Sequence, residues 1–307
     1  MSGNSAIGGL GGIATDGSGN GGLGYGGGFY NESTATATAS TFNGDNAIGG
    51  TGLGAGSGYG GGIYNLRDLA LASCTIASNI ATGSSFDFGG GIYNVGTLGI
   101  TNGTIAGNHA DFGGGLHGNA TLANTILAGN TAITSGPDGA GTINSWDYNL
   151  IQTISGVTLS GITNHMIIGA DPLLAPLANN GGPTRTMALR VGSPAIDKGT
   201  NFGFATDQRG VPRPFDFPLI ANVAGGNGTD IGAFEFALPQ LSITRVSFNA
   251  TVRWPAAFGD FVLESTPALA NASWTEVTNT PVIGPTGQLQ ITQNVFTGPR
   301  LYRLRMR

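Results

Sequence analysis

The sequence predicts an all-β protein, a right-handed parallel β-helix (a solenoid) followed by a small antiparallel β-sandwich. The main observation is a glycine-rich hexapeptide that occurs four times, as GGGFYN, GGGIYN twice and GGGLHG, with the copies ending at Asn31, Asn65, Asn94 and Gly118. Each copy is followed by an alternating apolar stretch and then by a second signature with an asparagine or aspartate. Fixed-order repeats of this size are typical of a solenoid.

The spacing of the repeats indicates strands rather than helices. Tyr30 and Tyr64 are 34 residues apart, Tyr64 and Tyr93 are 29 apart, and only the loop before the glycines changes length. The constant part, Gly89–Ala110, has 22 residues, which suffices for three strands of about 5–6 residues with tight turns. One such coil cannot bury its own apolar face, but stacked coils about 4.8 Å apart can do so.

Columns of equivalent residues predict which side chains face the interior. The apolar column is expected to point inward, and the aromatic column one residue later is expected to point outward because side chains alternate along a strand. We therefore expect Ile63→Asp to destroy the fold and Tyr64→Ala to leave the β-sheet circular dichroism intact. The inward column contains Phe29, Ile63, Ile92 and Leu116, and the outward column contains Tyr30, Tyr64, Tyr93 and His117.

Two further columns predict structural amide ladders. One consists of Asn31, Asn65 and Asn94, and the other of Asp45, Asn79, Asn108 and Asn130. Asparagine tolerates the left-handed backbone conformation expected at a sharp corner, and stacked amides can hydrogen-bond along the axis. We therefore interpret both columns as architectural.

Composition narrows the classes of function. The 307-residue chain contains 56 glycines, 9% charged residues and a formal net charge of −5. Its first 150 residues hold eight acidic residues and a single basic one, Arg67, so a nucleic acid partner is not expected. The single cysteine, Cys74, excludes a disulfide framework and is interpreted as a small core residue. No stretch is long and apolar enough to be a transmembrane helix.

The first residues resemble the end of a coil, since Gly3–Gly9 matches Gly44–Gly50. We therefore expect upstream coils and a secretion signal to precede Met1 in the complete protein, although the sequence itself opens without a signal peptide. An exposed coil end presents unpaired backbone groups, which predicts self-association through the N-terminal end. The far end is expected to be covered by Asp171–Glu235 and the sandwich.

Four motifs follow the repeats in the order NNGGPT, GSPAID, DQRG and DIGAFE, between Asn179 and Glu235. These motifs, and the GGGIYN repeats before them, resemble the choice-of-anchor Q domain surface proteins of bacteria and the repeats of polymorphic outer-membrane proteins. The resemblance implies an exported or cell-surface β-helix without enzymatic activity. Within the motifs Asp197, Asp207, Arg209 and Asp230 are expected to be structural, because a buried charge needs a partner.

Beyond residue 240 the glycine content falls and the pattern becomes that of alternating strands separated by prolines. This part resembles the fibronectin-III-like or immunoglobulin-like tail modules of Verrucomicrobia-type exported proteins. The predicted organisation is therefore β-helix repeats over 1–150, further coils and a cap over 151–236, and a β-sandwich over 240–307. A linker at Ala237–Gln240 is expected to be the site of proteolytic cleavage.

An enzyme is the alternative interpretation, because many parallel β-helices are polysaccharide lyases or glycoside hydrolases. Asp87 and Asp111 fall in the same column one coil apart, and two adjacent carboxylates raise the pKa of one of them. No base or third acid aligns with this pair in the sequence, so a solvated loop pair is the simpler interpretation.

Metal sites are weakly indicated. DGSGNGG at Asp16–Gly22 has the spacing of a calcium loop, with Asp16, Ser18 and Asn20 as ligands, but lacks the distant glutamate. The three histidines show no ligand spacing. We therefore expect no cofactor, and calcium is the single alternative that the sequence indicates.

The aromatic column is the most interesting predicted surface, since rings spaced by one coil are suited to stacking on sugars. Together with Asp87 and Asp111 it forms the candidate glycan-binding surface, although stacking that only stiffens the sheet is the simpler interpretation. The sequence thus predicts a non-enzymatic exported or cell-surface protein for adhesion, surface or filament structure, or glycan binding.

Overall fold

The computed structural model describes residues 1–11, 19–217, 220–255, 261–270, 272–285, 288–294 and 300–306, and the regular elements in them are β-strands. Most of these strands pair in parallel up to residue 168, and the remaining strands pair antiparallel. This arrangement is all-β and consistent with a β-helix followed by a sandwich. No helix long and apolar enough to cross a bilayer occurs in the described part of the chain.

Three parallel sheets make up the coils. Sheet A contains Thr41–Asn43, Thr75–Ala77, Thr104–Ala106, Ile126–Ala128, Leu150–Ile151 and Ile167–Ile168. Sheet B contains Ser5–Ile7, Asn46–Ile48, Ile80–Thr82, His109–Phe112 and Thr131–Ser135.

Sheet C has two arms that meet in the long strand Gly139–Trp146, which pairs with the last strand of each arm. The first arm contains Phe29–Asn31, Ile63–Asn65, Ile92–Asn94 and Leu116–His117. The second arm contains Ala35–Thr38, Asp68–Ala72, Thr97–Thr101 and Ala120–Ala123, and it continues beyond the long strand to Val157–Ile162. A short additional pair, Gly24–Tyr25 with Gly58–Tyr59, precedes the glycines.

The strand register reproduces the sequence repeat. Tyr30 pairs with Tyr64 and Tyr64 with Tyr93, and Ala6 pairs with Ala47 as the match between Gly3–Gly9 and Gly44–Gly50 predicts. Each parallel step therefore advances by one coil, whatever the length of the intervening loop. Ser5–Ile7 is the outermost strand of sheet B, and association through this end stays a prediction.

The glycine triplet is required for three different reasons, as Gly89, Gly90 and Gly91 illustrate. Gly89 has φ of +66°, a conformation that costs other residues free energy. A Cβ on Gly90 would lie 2.3 Å from the carbonyl oxygen of His109. One on Gly91 would lie 2.5 Å from the carbonyl oxygen of Gly115 and 3.0 Å from the side chain of Asn108. The third glycine therefore makes room for the amide ladder, which links the two repeated signatures.

The interior of the coils is packed by apolar side chains from sheets A and C. Ile63 is fully buried there with Ile92 and Leu116, so this column faces inward. Cys74 lies in the same core, where burial raises its pKa to about 11. The other members of this core include Phe42, Ile76, Ile105, Leu127 and Ile151 of sheet A and Leu71, Leu98, Ile100, Leu122 and Ile143 of sheet C.

A segment over 171–236, here called the lateral segment, has isolated bridges but no strands in its described residues. Its hydrogen bonds place it along the outer face of sheet A, whereas the sequence led us to expect it across the far end. It reaches Thr41 at the first coil, Thr104 at the third and Asn124 at the fourth. A second apolar core, containing Ile126, Leu150, Ala195, Ile231 and Phe234, lies between this segment and the sheet.

The tail forms two antiparallel sheets. One contains Ser242–Val246, Asn249–Pro255, Gln288–Asn294 and Val282–Ile283, and the other contains Thr275–Glu276, Phe261–Thr266 and Leu301–Met306. Buried Trp254, Phe261 and Leu263 of the tail belong to the same apolar cluster as Phe236 of the lateral segment. Cleavage at Ala237–Gln240 and independent folding of the tail stay predictions.

Candidate functional site

The predicted aromatic column exists, but a second aromatic row covers it. Tyr30, Tyr64, Tyr93 and His117 stack with ring centroids 5.2, 5.4 and 5.2 Å apart. The second row stacks in the same way and makes edge contacts with the first, at 4.8 Å for Tyr25 with Tyr64 and 5.0 Å for Tyr59 with Tyr93. It contains Tyr25, Tyr59, Phe88 and Phe112, the aromatic residues that precede the glycines.

The exposure of the aromatic column is uneven, with Tyr64 buried, Tyr93 and His117 half-buried and Tyr30 exposed. Tyr64 is 8% exposed, while Tyr30 at the end of the row is 43% exposed. Burial, followed by the neighbouring tyrosines, raises the pKa of Tyr64 to about 12. Burial also lowers the pKa of His117, whose buried Nδ1 has no hydrogen-bond partner. The rings of the covering row, Tyr25, Tyr59, Phe88 and Phe112, are themselves half-buried.

The acidic pair is brought together, but one member is buried in a backbone role. Asp87 Oδ1 accepts a 2.6 Å hydrogen bond from Gly58 N, and Asp111 Oδ2 accepts one of 3.2 Å from Asp87 N. Burial raises the pKa of Asp87, and the charge of Asp111 raises it further. The solvated loop pair expected from the sequence is therefore incorrect for Asp87.

His109 is the residue that the sequence reasoning missed at this position. It lies two residues before Asp111 on strand His109–Phe112, next to an irregularity at which Asp111 N and Phe112 N both donate to Asp87 O. Its charge acts on Asp87 by lowering that carboxyl pKa, and its Nδ1 lies 2.8 Å from Thr131 Oγ1. Its place two residues before Asp111 in the sequence was the signal that could have found it.

Both amide ladders are continuous hydrogen-bonded rows. Asn31 Nδ2 donates to Asn65 Oδ1 at 2.7 Å, and Asn65 Nδ2 donates to Asn94 Oδ1 at 2.6 Å. None of the six predicted asparagines has positive φ, so the expected left-handed corner is wrong for them. Other residues occupy the left-handed corners, among them Ser73, Asn102 and Asn124.

The second ladder is longer than predicted, because Asn4 and Asp138 extend it at its two ends. Asn79 Nδ2 donates to Asn108 Oδ1 at 2.9 Å, and Asn108 Nδ2 donates to Asn130 Oδ1 at 2.8 Å. Asp45 is the exception in this row. Its Oδ2, which takes the place of an amide nitrogen, is buried without a hydrogen-bond partner.

The four motifs of the lateral segment converge on one buried ionic cluster. Asp207 Oδ2 accepts hydrogen bonds from Arg209 Nε at 2.8 Å and from Glu235 N at 3.0 Å. Asp230 Oδ1 accepts one of 2.8 Å from Asp197 N, and Arg209 stacks 3.6 Å above the Phe234 ring. Asp197, Asp207, Arg209 and Asp230 therefore hold backbone and side-chain groups together.

Arg213 and Glu235 complete this cluster, although the sequence did not single them out. Arg213 Nε lies 3.3 Å from Glu235 Oε2, and both side chains are fully buried. Burial raises the pKa of Glu235 to about 7 against the lowering effect of Arg213, and burial raises the pKa of Asp197 to about 6. The pKa of Asp230 is also raised, first by burial and then by Glu235.

Gln208 joins the lateral segment to sheet A. Thr75 Oγ1 donates to Gln208 Oε1 at 2.6 Å, and Gln208 Nε2 donates to Thr41 Oγ1 at 2.8 Å. One coil further on, Ala233 N donates to Thr104 Oγ1 at 3.0 Å. A column of threonines on an outer face is thus used to bind amide groups laid along the stack of coils.

The outer face of the second arm of sheet C also carries polar side chains, and no segment among the described residues covers them. A depression of about 370 Å³ lies on it, lined by Gly96, Thr97, Leu98, Asn119, Ala120, Thr121, Thr142 and Asn144. Trp146, two residues after Asn144 on the same strand, is 58% exposed. The sequence analysis did not identify this face.

At the corner after that strand, His165 is paired with Asp147. His165 Nδ1 lies 2.6 Å from Asp147 Oδ2, and the ring of Tyr148 stacks on His165 at 5.0 Å. Asp147 and Tyr148 both have positive φ, at 79° and 53°. This pair could not be predicted from the spacing between the histidines, because the partner of His165 is an aspartate 18 residues earlier in the chain.

The calcium prediction cannot be placed, since Asp16 and Ser18 lie outside the described residues. Asn20 is described, and its Oδ1 would lie 2.2 Å from a Cβ on Gly54. Within the described ranges no three His, Cys, Asp or Glu side chains are grouped so that they could hold a metal ion. Comparison of the chain with protein-family models, curated proteins and solved structures finds no match.

Proposed function

We propose that this chain is a non-enzymatic exported or cell-surface protein, a right-handed parallel β-helix with a β-sandwich tail, that serves adhesion, surface structure or glycan binding. The observation that carries the proposal is the distribution of polar groups. The carboxylates and guanidinium groups of the lateral segment hold the fold together, as does Asp87 in the coils. The open face of sheet C instead offers hydroxyl and amide groups.

The resemblance to choice-of-anchor Q proteins gains support from the ionic cluster. The motifs NNGGPT, GSPAID, DQRG and DIGAFE are separated in sequence but share hydrogen bonds, since Arg209 Nη1 donates to Asn180 O and Asp197 N donates to Asp230 Oδ1. The four motifs occur together because each supplies a group to the same buried ionic cluster. The cell-surface location follows from the resemblance, and antibody labelling of intact cells of the source organism tests it.

A polysaccharide lyase or glycoside hydrolase is the alternative, favoured by His109 and Asp111 next to Asp87. Asp111 is partly exposed and lies two residues from an imidazole that can act as a base. Against this alternative, Asp87 accepts a backbone hydrogen bond and is buried, so it is poorly placed to meet a substrate.

The test is incubation of the purified chain with pectins, alginates, chondroitins and neutral glycans, with two readouts. Unsaturated-product absorbance and reducing ends measure turnover, and co-sedimentation with insoluble polysaccharide measures binding. We expect binding without turnover. Turnover that disappears in both Asp111→Ala and His109→Ala, while an Asp68→Ala control retains it, would establish the enzyme instead.

A further inference from the structure

We propose that the outer face of the second arm of sheet C binds a neutral polysaccharide, with Trp146 as the ring on which one sugar stacks. This inference rests on the proposed function and names its ligand class and site. The face consists of the outward positions of neighbouring strands, among them Thr97, Thr121, Thr142, Asn144, Trp146, Thr158 and Ser160.

Strand alternation fixes the orientation of these side chains. Ile143 is buried in the interior core, so Thr142 and Asn144 on either side of it point outward, as does Trp146. Two residues along a strand span about 6.6–6.8 Å, so Trp146 lies about one such step beyond Asn144. Polar groups and an exposed ring therefore follow one another along a single line.

The shape of the face provides room for a chain of sugars. Gly99 pairs with Thr121 on the neighbouring strand, and a Cβ on Gly99 would meet nothing within 4 Å. The depression of about 370 Å³ crosses three strands at this place. Asn119 Oδ1 accepts a 2.9 Å hydrogen bond from Thr142 N, which orients the amide at the rim of the depression.

The charge of the face selects a neutral ligand. The residues that line the depression are uncharged, and the charged residues next to it in the strand register are Arg67 and Asp68, which are adjacent and opposite in sign. An acidic glycan needs cationic side chains or a bound cation for its carboxylates or sulfates. Hydroxyl and amide groups combined with an indole instead match a hydroxyl-rich ring that has an apolar face.

The lateral segment gives an internal precedent for such binding. On sheet A the amide of Gln208 is held between Thr41 and Thr75, which occupy equivalent positions of successive coils. A threonine column in this fold thus recognises polar groups that follow the stack. On the open face Thr97, Thr121 and Thr142 present hydroxyls from neighbouring strands, although not from equivalent positions, since Thr121 pairs with Gly99 and Asn144.

The experiment is titration of the full chain with cellohexaose, xylohexaose, mannohexaose and laminarihexaose, followed by tryptophan fluorescence and calorimetry. Polygalacturonate and alginate form the acidic arm. Trp254 is buried and Trp274 lies under Arg303, so Trp146 is the indole expected to respond. We expect at least one neutral oligosaccharide to bind and to change the fluorescence.

Variants locate the site. Trp146→Ala is expected to weaken binding at least tenfold, Trp146→Phe to retain it within a few-fold, and Thr121→Val to weaken it several-fold. Phe86→Ala is the matched control, since Phe86 is an exposed aromatic residue in another part of the coil, and it should change binding less than twofold. Thermal melts of each variant show whether the fold is retained.

Each contrary result has a separate meaning. Neutral-glycan binding that survives both Trp146→Ala and Thr121→Val would overturn this site and leave the proposed function standing. Binding of the acidic glycans alone would overturn the ligand class. A dimer that Trp146→Ala dissociates, with no glycan bound, would show that the face serves a second copy of the chain. Turnover of any glycan would overturn the non-enzymatic proposal itself.

Discussion

The outer faces of sheets A and C both carry outward-pointing threonines, yet the described part of the chain buries one face and leaves the other open. Thr75 on sheet A is fully buried under the lateral segment, whereas Thr121 on sheet C lines an open depression. Both follow the same alternation along a strand. Alternation therefore determines whether a side chain points into or out of a coil, but not whether it meets water.

The aromatic column on the first arm of sheet C is intermediate in exposure between the covered face of sheet A and the open face of sheet C. Tyr64 points out of the coil but is covered by Tyr25 and flanked by Tyr30 and Tyr93. Its cover comes from the preceding coil, since Tyr25 lies five residues before Tyr30, the member of the column one coil earlier. A solenoid with short coils can thus cover an outer face with its own loops or with a distant segment.

The largest effect is expected from removing the anchor of the covered face. Asp207→Ala leaves the buried guanidinium of Arg209 without its carboxylate, which should lower the free energy of unfolding by about 3–5 kcal/mol. Asp68→Ala on the open face is the control and should stay within about 0.5 kcal/mol. Urea denaturation measures both, and equal values would mean that the cluster does not hold the lateral segment.

The aromatic column provides the next largest effect. Tyr64→Ala removes a ring packed against three others and should cost about 3 kcal/mol, in the range of large-to-small changes in cores. The expectation from the sequence that this variant keeps its β-sheet circular dichroism stays a prediction. Tyr30→Ala, at the exposed end of the row, should cost less than half as much in thermal or urea denaturation. Similar losses for the two would contradict the covering by the second row.

The covered face should also make stability depend on pH. Glu235, with a pKa of about 7, and Asp197, with a pKa of about 6, hold protons in the folded state that the unfolded chain releases near pH 4. The free energy of unfolding should therefore fall as pH rises from about 4.5 to 7, by roughly 3 kcal/mol for Glu235.

Denaturation across this pH range, with Glu235→Gln alongside, measures the effect. The variant cannot ionise, so its curve should be flatter than that of the parent. A parent protein that becomes more stable over the same range would show that Arg213 outweighs burial at Glu235.

A matched pair of threonine variants compares the two faces most directly. Thr75→Val leaves Gln208 Oε1 without its 2.6 Å donor and should cost about 1–3 kcal/mol. Thr121→Val on the open face should change stability by less than about 0.5 kcal/mol. The two substitutions are chemically identical, so a difference between their urea midpoints measures the contribution of the lateral segment that covers Thr75. Equal midpoints would contradict the stabilising contact between Thr75 and Gln208.

The smallest effect is expected at the second amide ladder, the row that contains Asp45 and Asn108. This ladder belongs to neither of the two outer faces. Asp45 Oδ2 is buried without a partner where the other coils have an amide nitrogen. Asp45→Asn restores a donor at that position and should stabilise the protein by about 1 kcal/mol. Asn108→Asp should destabilise it, because Asn130 Oδ1 and Ile76 O would lose their donor. Thermal melts of both variants compare the two directions.

Much of the coil could be predicted from the sequence because its constraints are local and repeated. The parallel register of Ile63 with Ile92 follows from identical hexapeptides, and the burial of this column follows from alternation. The two amide ladders also follow from repetition, since identical side chains one coil apart must meet. What failed was the backbone reason given for them, because φ at Asn65 or Asn94 depends on turn geometry that composition does not specify.

The sequence by itself determined the coil, its register and the inward columns, because each depends on residues that recur at every turn. Only the tertiary structure decided which outward columns are covered. The lateral segment reaches Thr41 from Gln208, 167 residues away, and no local pattern encodes where such a segment lies. The open face around Trp146 was not predicted for the same reason, since the exposure of an outward column depends on where distant segments of the chain lie.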